Sequence, residues 1–298
     1  MHCNIKINET TILITGGRLV RGGGYKSTFQ NVETGRFIEG PRFKNLRSHG
    51  HGCGKFTFKG KTYALVAFGR LNSVEILDLE KQGRSCSASV NFPAKVRDAS
   101  GGGFKDTGIV QCGGNYAATE KCYYLAQDAT FHEATYSLQT KRYRASSVAL
   151  PNGTFVITGG IDQNNNRLKT IEIIDTVNGD VSVPQQTLPE PIRGHCSILV
   201  NESVILIIGG KRSGSYSRKT TFFDIQTLKS TPGPEMRIAR SSFGCATMTS
   251  KVIVAGGYSG SRTETSEILD LKSNNPSWQP GKLNIIENLL NPASTFYF

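Results

Sequence analysis

The sequence lacks an apolar run long enough to cross a membrane, and its first residues lack the basic-then-apolar pattern of a secretory signal. It has no Cys-x-x-Cys pair, and its seven cysteines are an odd number. These absences predict free thiols in a reducing compartment, the cytoplasm, and no membrane contact. Leucine-rich helical stretches are also missing, whereas short runs of Val, Ile, Thr, Phe and Tyr recur. That composition predicts an all-β fold.

A short apolar run that ends in a pair of glycines recurs along the chain. The runs end at 17, 114, 160, 210 and 257, and a degenerate copy ends at 69, so that the intervals are 45 to 52 residues. Such a constant period indicates repeated units rather than unrelated domains. Each unit has room for four short strands, and a four-stranded sheet covers both its faces only by stacking on neighbours. We therefore predict one domain over residues 1–298.

Two further markers keep the same period. An arginine precedes the Gly pair by about 16 residues, and a second apolar run after the pair ends in an acidic or amide residue before a turn. The arginines are Arg97, Arg144, Arg193 and Arg240, with Arg47 displaced by an insertion. The turn residues are Asn31, Asp78, Asp175, Asp224 and Asp270. Trp278 and Phe37 stand where a fourth strand is expected.

These markers resemble the repeat of the kelch-like proteins over nearly the whole chain. The resemblance implies a six-bladed kelch-type β-propeller with four antiparallel strands per blade, acting as a protein-binding scaffold without enzymatic activity or a cofactor. Many kelch proteins carry a BTB oligomerisation domain and serve as substrate adaptors of a cullin ubiquitin ligase. No such domain is recognisable here, so that role would need another segment or a separate partner.

The closure of the ring has three possible solutions. Residues 1–7 read as a first strand, and residues 293–298 read as another. The C-terminal strand could close the ring and displace the N-terminus, or one of the two could pack elsewhere. The chain could also stop at the start of a seventh repeat.

The net charge of +12 is predicted to concentrate on one face. Alternation of strands places the repeat arginines beside the loops that follow the Gly pairs, and those loops hold twelve Lys or Arg against three acids. Clustered arginine favours carboxylate or phosphate groups. In kelch proteins that bind acidic peptides, arginines at this position can contact the ligand. The predicted contacts to an acidic partner are Arg47, Arg97, Arg144, Arg193, Arg240, Lys211, Arg212 and Arg218.

Other interpretations compete with this one. Each repeat arginine could instead satisfy loop carbonyls and pack its stem on a neighbouring blade. A carbohydrate-directed oxidase, epimerase or lyase could use the same scaffold, although the sequence offers no clear ligand set. Electrostatic binding of nucleic acid or an anionic surface is disfavoured, because aromatic stacking positions do not obviously line the basic loops.

Two local patterns have a structural explanation. His49, His51 and Cys53 alternate as metal ligands could, but they lie in a glycine-rich insertion without a fourth ligand, so no metal site is predicted. Asn-x-Ser/Thr sequons occur at Asn8, Asn152 and Asn201, each at the turn between the first two strands of a repeat. Asn is favoured there by turn geometry alone.

Overall fold

The computed structural model describes residues 3–15, 27–40, 51–58, 61–68, 73–79, 88–93, 98–104, 108–114, 119–126 and 130–283. Within these ranges the chain forms six four-stranded antiparallel sheets and no helix. A membrane-spanning helix is therefore absent from the described part of the chain. In each sheet the four strands pair in chain order, as the repeat of an apolar run, a Gly pair and a turn predicts.

The strands are numbered along the chain. Each sheet has four strands, which we call its first, second, third and fourth strands in chain order. The first strands are β1 (Cys3–Lys6), β5 (His51–Phe58), β9 (Ser100–Phe104), β13 (Ser146–Ala149), β17 (Cys196–Leu199) and β21 (Gly244–Met248). The second strands are β2 (Thr11–Thr15), β6 (Lys61–Phe68), β10 (Gly108–Cys112), β14 (Thr154–Thr158), β18 (Val204–Ile208) and β22 (Lys251–Ala255). The third strands are β3 (Ser27–Asn31), β7 (Ser73–Asp78), β11 (Lys121–Leu125), β15 (Ile171–Asp175), β19 (Thr220–Asp224) and β23 (Ser266–Asp270). The fourth strands are β4 (Phe37–Glu39), β8 (Ala88–Asn91), β12 (Phe131–Ser137), β16 (Val181–Ser182), β20 (Lys229–Gly233) and β24 (Trp278–Pro280). We number the sheets 1 to 6 in the same order.

The sheets are arranged as a β-propeller, with the first strands innermost. Each first strand contacts the first strand of the next sheet, and β21 of sheet 6 contacts β1 of sheet 1. Ile12 and Ile14 of sheet 1 also share an apolar cluster with Ile253 and Ala255 of sheet 6. The N-terminal strand therefore takes the first-strand position of sheet 1. The C-terminal strand expected at 293–298 lies outside the described residues.

The number of blades differs from the number of sheets. The propeller has five blades by its geometry, whereas the repeat predicts six. The described residues form six four-stranded sheets. The third repeat, which the sequence marks as irregular, has a register shift between Lys121 and Tyr123 where β11 pairs with β12.

The turn between the third and fourth strands is closed by the predicted Asp or Asn. The Oδ1 atom of Asp175 accepts hydrogen bonds from the backbone N–H groups of Val177 and Asn178, at 2.9 and 3.1 Å. Asn31, Asp224 and Asp270 accept equivalent bonds. A carboxylate or amide oxygen at this position replaces the hydrogen bonds that the turning backbone loses. The Asp or Asn that ends the apolar run of the third strand is therefore a turn residue.

The aromatic residue expected in the fourth strand has different roles in sheets 6 and 1. Trp278 in β24 is buried, and its Nε1–H donates to the carbonyl oxygen of Pro234 at 2.9 Å. This contact attaches sheet 6 to the end of β20 in sheet 5. Phe37, at the corresponding strand of sheet 1, is more than half exposed.

Two disulfides correct the expectation of free thiols. Cys112 and Cys122 are directly opposed on β10 and β11 of sheet 3 and are bonded to each other. Cys196 and Cys245 are bonded across the first strands of sheets 5 and 6, with Cα atoms 6.5 Å apart. The odd cysteine count did not reveal these pairs, because each one depends on strand pairing or sheet stacking.

Candidate binding site at the channel rim

The segments before the first strands and after the Gly pairs lie at one end of the propeller, which we call the Gly-pair end. In sheet 5 Arg193 pairs through its backbone with Lys211, and Lys211 also pairs with Tyr216. Sheets 4 and 6 repeat this arrangement. The repeat thus brings side chains from two distant parts of each unit to the same rim.

Backbone hydrogen bonds connect successive sheets along this rim. The N–H of Arg144 donates to the carbonyl of Asp98 at 2.8 Å, Gly194 donates to Arg144 at 3.0 Å, and Ser242 donates to Gly194 at 2.6 Å. All four residues have φ between 53° and 57°. That left-handed conformation is unfavourable for Asp, Arg and Ser, so the inter-sheet hydrogen bonds hold it. Arg144 is consequently fixed where the inner strands begin.

Three arginines from sheets 4 and 5 lie together at this rim, and we call Arg144, Arg167 and Arg193 the rim arginine cluster. Burial lowers the pKa of Arg193, and the positive charges of Arg144 and Arg167 lower it further. The Nε atom of Arg144 contacts the carboxylate of Asp98 at 3.1 Å. Among the described residues Arg167 and Arg193 form no ion pair, and the buried Nε of Arg167 has no hydrogen-bond partner. The cluster therefore carries more positive charge than its one carboxylate neutralises.

Aromatic rings flank the cluster. The Arg144 guanidinium lies 5.9 Å from the ring centre of Tyr143, and the Lys211 ammonium lies 5.0 Å from that of Tyr216. Tyr216 in turn packs edge-on against Tyr258 of sheet 6, with ring centres 5.5 Å apart. The sequence alone did not predict a role for these tyrosines. Their place beside the first strand or just after a Gly pair was the signal that could have identified them.

Arg240, one of the predicted partner contacts, is completely buried instead. Its guanidinium bonds to Glu267, to the carbonyl oxygens of Gly256 and Thr265 at 2.8 and 2.7 Å, and to the Thr265 hydroxyl. Glu267 also accepts backbone N–H groups from the segment that carries Arg240. Arg240 is thus a structural anchor, as the competing interpretation stated, and it cannot contact a partner in this conformation.

In sheet 4 the equivalent buried arginine is Arg142, which stands two residues before the predicted contact Arg144. Arg142 is buried, pairs with Glu172 and donates to the carbonyl oxygen of Gly159 at 2.9 Å. Sheet 5 lacks both charges, because Ile192 and Thr221 occupy the two positions. In sheets 4, 5 and 6 the arginine and the glutamate are therefore present together or absent together. In the sequence this glutamate is the first residue of the repeated runs Glu-Ile-Ile-Asp and Glu-Ile-Leu-Asp.

The repeat arginines do not occupy equivalent positions. Strand pairing aligns Ser100, Ser146, Cys196 and Gly244, each opposite the residue before a Gly pair. The hairpin between the first two strands has only two residues in sheet 6 but four in sheets 4 and 5, which shifts the arginine relative to the strand. Arg144 stands two residues before the aligned residue of its sheet. Arg97 and Arg193 stand three residues before theirs, and Arg240 stands four residues before its own.

The other predicted contacts are divided between buried, paired and undescribed residues. Arg212 is nearly buried, and its Nε bonds to the Ser217 hydroxyl at 3.1 Å, which corrects its prediction as a surface contact. Arg218 is exposed but lies 3.2 Å from Glu235. Lys211 has no carboxylate partner in the described part of the chain. Arg47 and Arg97 lie outside the described residues.

The side chains of the His/Cys pattern in the insertion, those of His49, His51 and Cys53, lie outside the described residues. Within the described ranges no three His, Cys, Asp or Glu residues form a group that could hold a metal ion.

No model of a known protein family matches this chain, and comparison with curated proteins also finds no match.

Proposed function

We propose that the chain is a protein-binding module, not an enzyme, and that the rim arginine cluster with Lys211 captures an acidic segment of a partner protein. One observation carries the proposal: Arg144 and Arg167 lie close enough to Arg193 to lower its pKa, and among the described residues the ion pair between Arg144 and Asp98 is the only one that the three arginines form. Like charges held close together destabilise the free protein. An acidic ligand would remove that repulsion, so part of its binding free energy comes from relief of the cluster.

The structural anchors give a useful contrast. Arg142 and Arg240 each have a glutamate of their own and also donate to backbone carbonyls, so their bonding capacity is used within the fold. The guanidinium donors of Arg193 and Arg167 have no such partners among the described residues. Planar guanidinium groups bind carboxylates through two parallel hydrogen bonds. The unpartnered arginines are therefore the ones suited to an external carboxylate.

We also propose that the propeller is a six-bladed kelch-type ring. The six four-stranded sheets and the contact between β21 and β1 support that count. The Gly pairs, turn residues and Trp278 stand at the strand positions that the kelch resemblance implies. In this proposal the channel mouth at the Gly-pair end is the binding surface.

A binding experiment with matched charge changes tests the site. The probe is a fluorescein-labelled peptide of alternating Glu and Ser, and an alternating Gln and Ser peptide serves as the neutral control. We compare wild type with R144Q/R167Q/R193Q and with K229Q/K251Q/K272Q. The second variant removes the same charge from exposed lysines at the turns of the opposite end.

We expect the arginine variant to lose at least about tenfold in affinity for the acidic peptide, since each charge-assisted hydrogen bond contributes about 1.5–3 kcal/mol. The lysine variant should bind within about twofold of wild type. Equal loss in both variants would show that net charge alone drives the binding and would reject the site.

Single-stranded nucleic acid is the second candidate, and Tyr143, Tyr216 and Tyr258 favour it more than the sequence suggested. Cations next to aromatic rings are typical of surfaces on which bases stack. However, Tyr216 is already contacted by Lys211 and Tyr258. A labelled oligothymidylate tests this candidate: tighter binding than the acidic peptide, with a steep decrease as salt rises, would favour it.

The adaptor role in a cullin ligase remains a prediction from the resemblance. The cytoplasmic location was inferred from free thiols, and four of the seven cysteines form disulfides. The proposed function therefore does not include a cytoplasmic location.

A further inference from the structure

The three Asn-x-Ser/Thr sequons occupy one structural position. Asn8, Asn152 and Asn201 each lie in the turn between the first and second strands, in sheets 1, 4 and 5. This turn is at the end of the propeller opposite the Gly pairs, because the second strand runs from the turn to the Gly pair. The middle residues of the three sequons are Glu, Gly and Glu, so none is blocked by proline.

The geometry of the three asparagines is the same in each turn. The Oδ1 atom accepts a hydrogen bond from the backbone N–H of the Ser or Thr two residues later, at 3.0 Å for Asn8, 3.1 Å for Asn152 and 3.0 Å for Asn201. All three residues are exposed. Within the described part of the chain their Nδ2 atoms donate no hydrogen bond. The amide nitrogen of each asparagine is thus free and accessible.

The disulfides are an independent observation about the compartment. Cys112–Cys122 and Cys196–Cys245 connect elements that the fold already places next to each other, one pair inside a sheet and one between sheets. Stable disulfides form when two thiols give two electrons and two protons to a thiol–disulfide oxidoreductase, and they persist in oxidising compartments such as the secretory pathway. The same compartment is where Asn-x-Ser/Thr sequons are glycosylated.

We propose that this chain matures in an oxidising secretory compartment and carries N-linked glycans on Asn8, Asn152 and Asn201. In the modification, Nδ2 attacks the anomeric carbon of an oligosaccharide held on a lipid pyrophosphate. A carbon–nitrogen bond forms, the anomeric carbon–oxygen bond breaks, and the amide proton leaves with the lipid pyrophosphate. No atom is oxidised or reduced.

The position of the glycans leaves the rim arginine cluster accessible. The sequon turns and the cluster lie at opposite ends of antiparallel strands, so the sugars would cover the face away from the proposed binding site. The inference does not depend on the proposed function, and removal of the glycans should leave binding of the acidic peptide unchanged.

The test uses the native protein, immunoprecipitated from its source organism with an antibody raised against this chain. Free thiols are alkylated before any reduction, and the protein is then treated with peptide N-glycosidase in ¹⁸O water, which converts each glycosylated Asn to labelled Asp. Asn275 is an internal control, because its Asn-Pro-Ser sequence is also exposed but is blocked by Pro276.

We expect label at positions 8, 152 and 201, none at 275, and cysteines 112, 122, 196 and 245 protected from alkylation. Absence of label at all three positions would overturn the proposal, as would complete alkylation without reductant. In secretory cells that produce the chain behind an added signal, the variant P276A should gain a glycan at Asn275. Failure of that gain while positions 8, 152 and 201 are labelled would show that the three turns are selected by their geometry, which supports the proposal.

Discussion

At the scale of single residues, arginines with similar sequence spacing have opposite roles in this protein. Arg240 is buried with Glu267, whereas Arg193 is partly exposed and faces two other cations. The difference comes from the partners that the local register supplies. An arginine with its own glutamate uses its hydrogen-bond donors within the fold, whereas Arg193 has no ion pair among the described residues.

The first prediction concerns the buried pair of sheet 6. Arg240→Ile should lower the free energy of unfolding by about 3–5 kcal/mol, because it leaves the Glu267 carboxylate buried without its cation. The double variant R240I/E267T copies Ile192 and Thr221 of sheet 5 and should recover part of this loss. Urea denaturation measures both. Arg193→Ile, at a site with no ion pair among the described residues, is the control and should change stability by less than about 0.5 kcal/mol. A double variant no more stable than the single one would contradict the explanation.

At the scale of strands and turns, the second glycine of the pair lets the end of the second strand lie close to the segment that precedes the first strand of the same sheet. Gly210 has a φ of 89°, and an added Cβ would lie 2.8 Å from the Cβ of His195 and 3.0 Å from the carbonyl oxygen of Arg193. The second strand must therefore end in a residue without a side chain. This requirement explains why the pair recurs at the end of the second strand.

The second prediction separates close approach from backbone conformation. Gly210→Ala should cost about 2–4 kcal/mol, since it combines an unfavourable φ with a clash in a packed region. Gly214→Ala is the matched control, because Gly214 has nearly the same φ, 90°, but nothing within 4 Å of an added Cβ. It should cost only about 1 kcal/mol. Thermal or urea unfolding of the two variants gives the difference, and equal losses would show that φ alone selects glycine.

At the scale of the whole molecule, covalent links reinforce the stacking of sheets. The Cys196–Cys245 bond joins residues 49 apart, and the Cys112–Cys122 bond joins residues 10 apart. A longer closed loop removes more conformational entropy from the unfolded chain. The bond between sheets should therefore stabilise the propeller more than the bond inside sheet 3.

The third prediction follows from these loop lengths. C196A/C245A should lower the free energy of unfolding by about 4 kcal/mol, and C112A/C122A should lower it by about 3 kcal/mol. Urea denaturation of the oxidised proteins measures both losses. Addition of a reductant should destabilise wild type by about as much as the two double variants together. Wild type that is equally stable with and without reductant would contradict a stabilising role for either bond.

The sequence predicted the fold better than it predicted the site. The period of the Gly pairs and the turn residues identified the strands, because both markers are local consequences of backbone geometry. The site depends on register, and the shorter hairpin of sheet 6 moved Arg240 into the interior while similar spacing left Arg144 on the rim. Arg167 keeps no period, so only the folded chain brings it to Arg193.

The hydrogen bonds that run from Asp98 through Arg144 and Gly194 to Ser242 have a consequence for electrostatics. They run from one sheet to the next around the rim, so their peptide dipoles do not add along a single axis as those of an α-helix do. They contribute little potential along the pore. The potential that an approaching anion meets there is therefore set by ionisable side chains, and substitutions can reverse its sign without any change in the backbone.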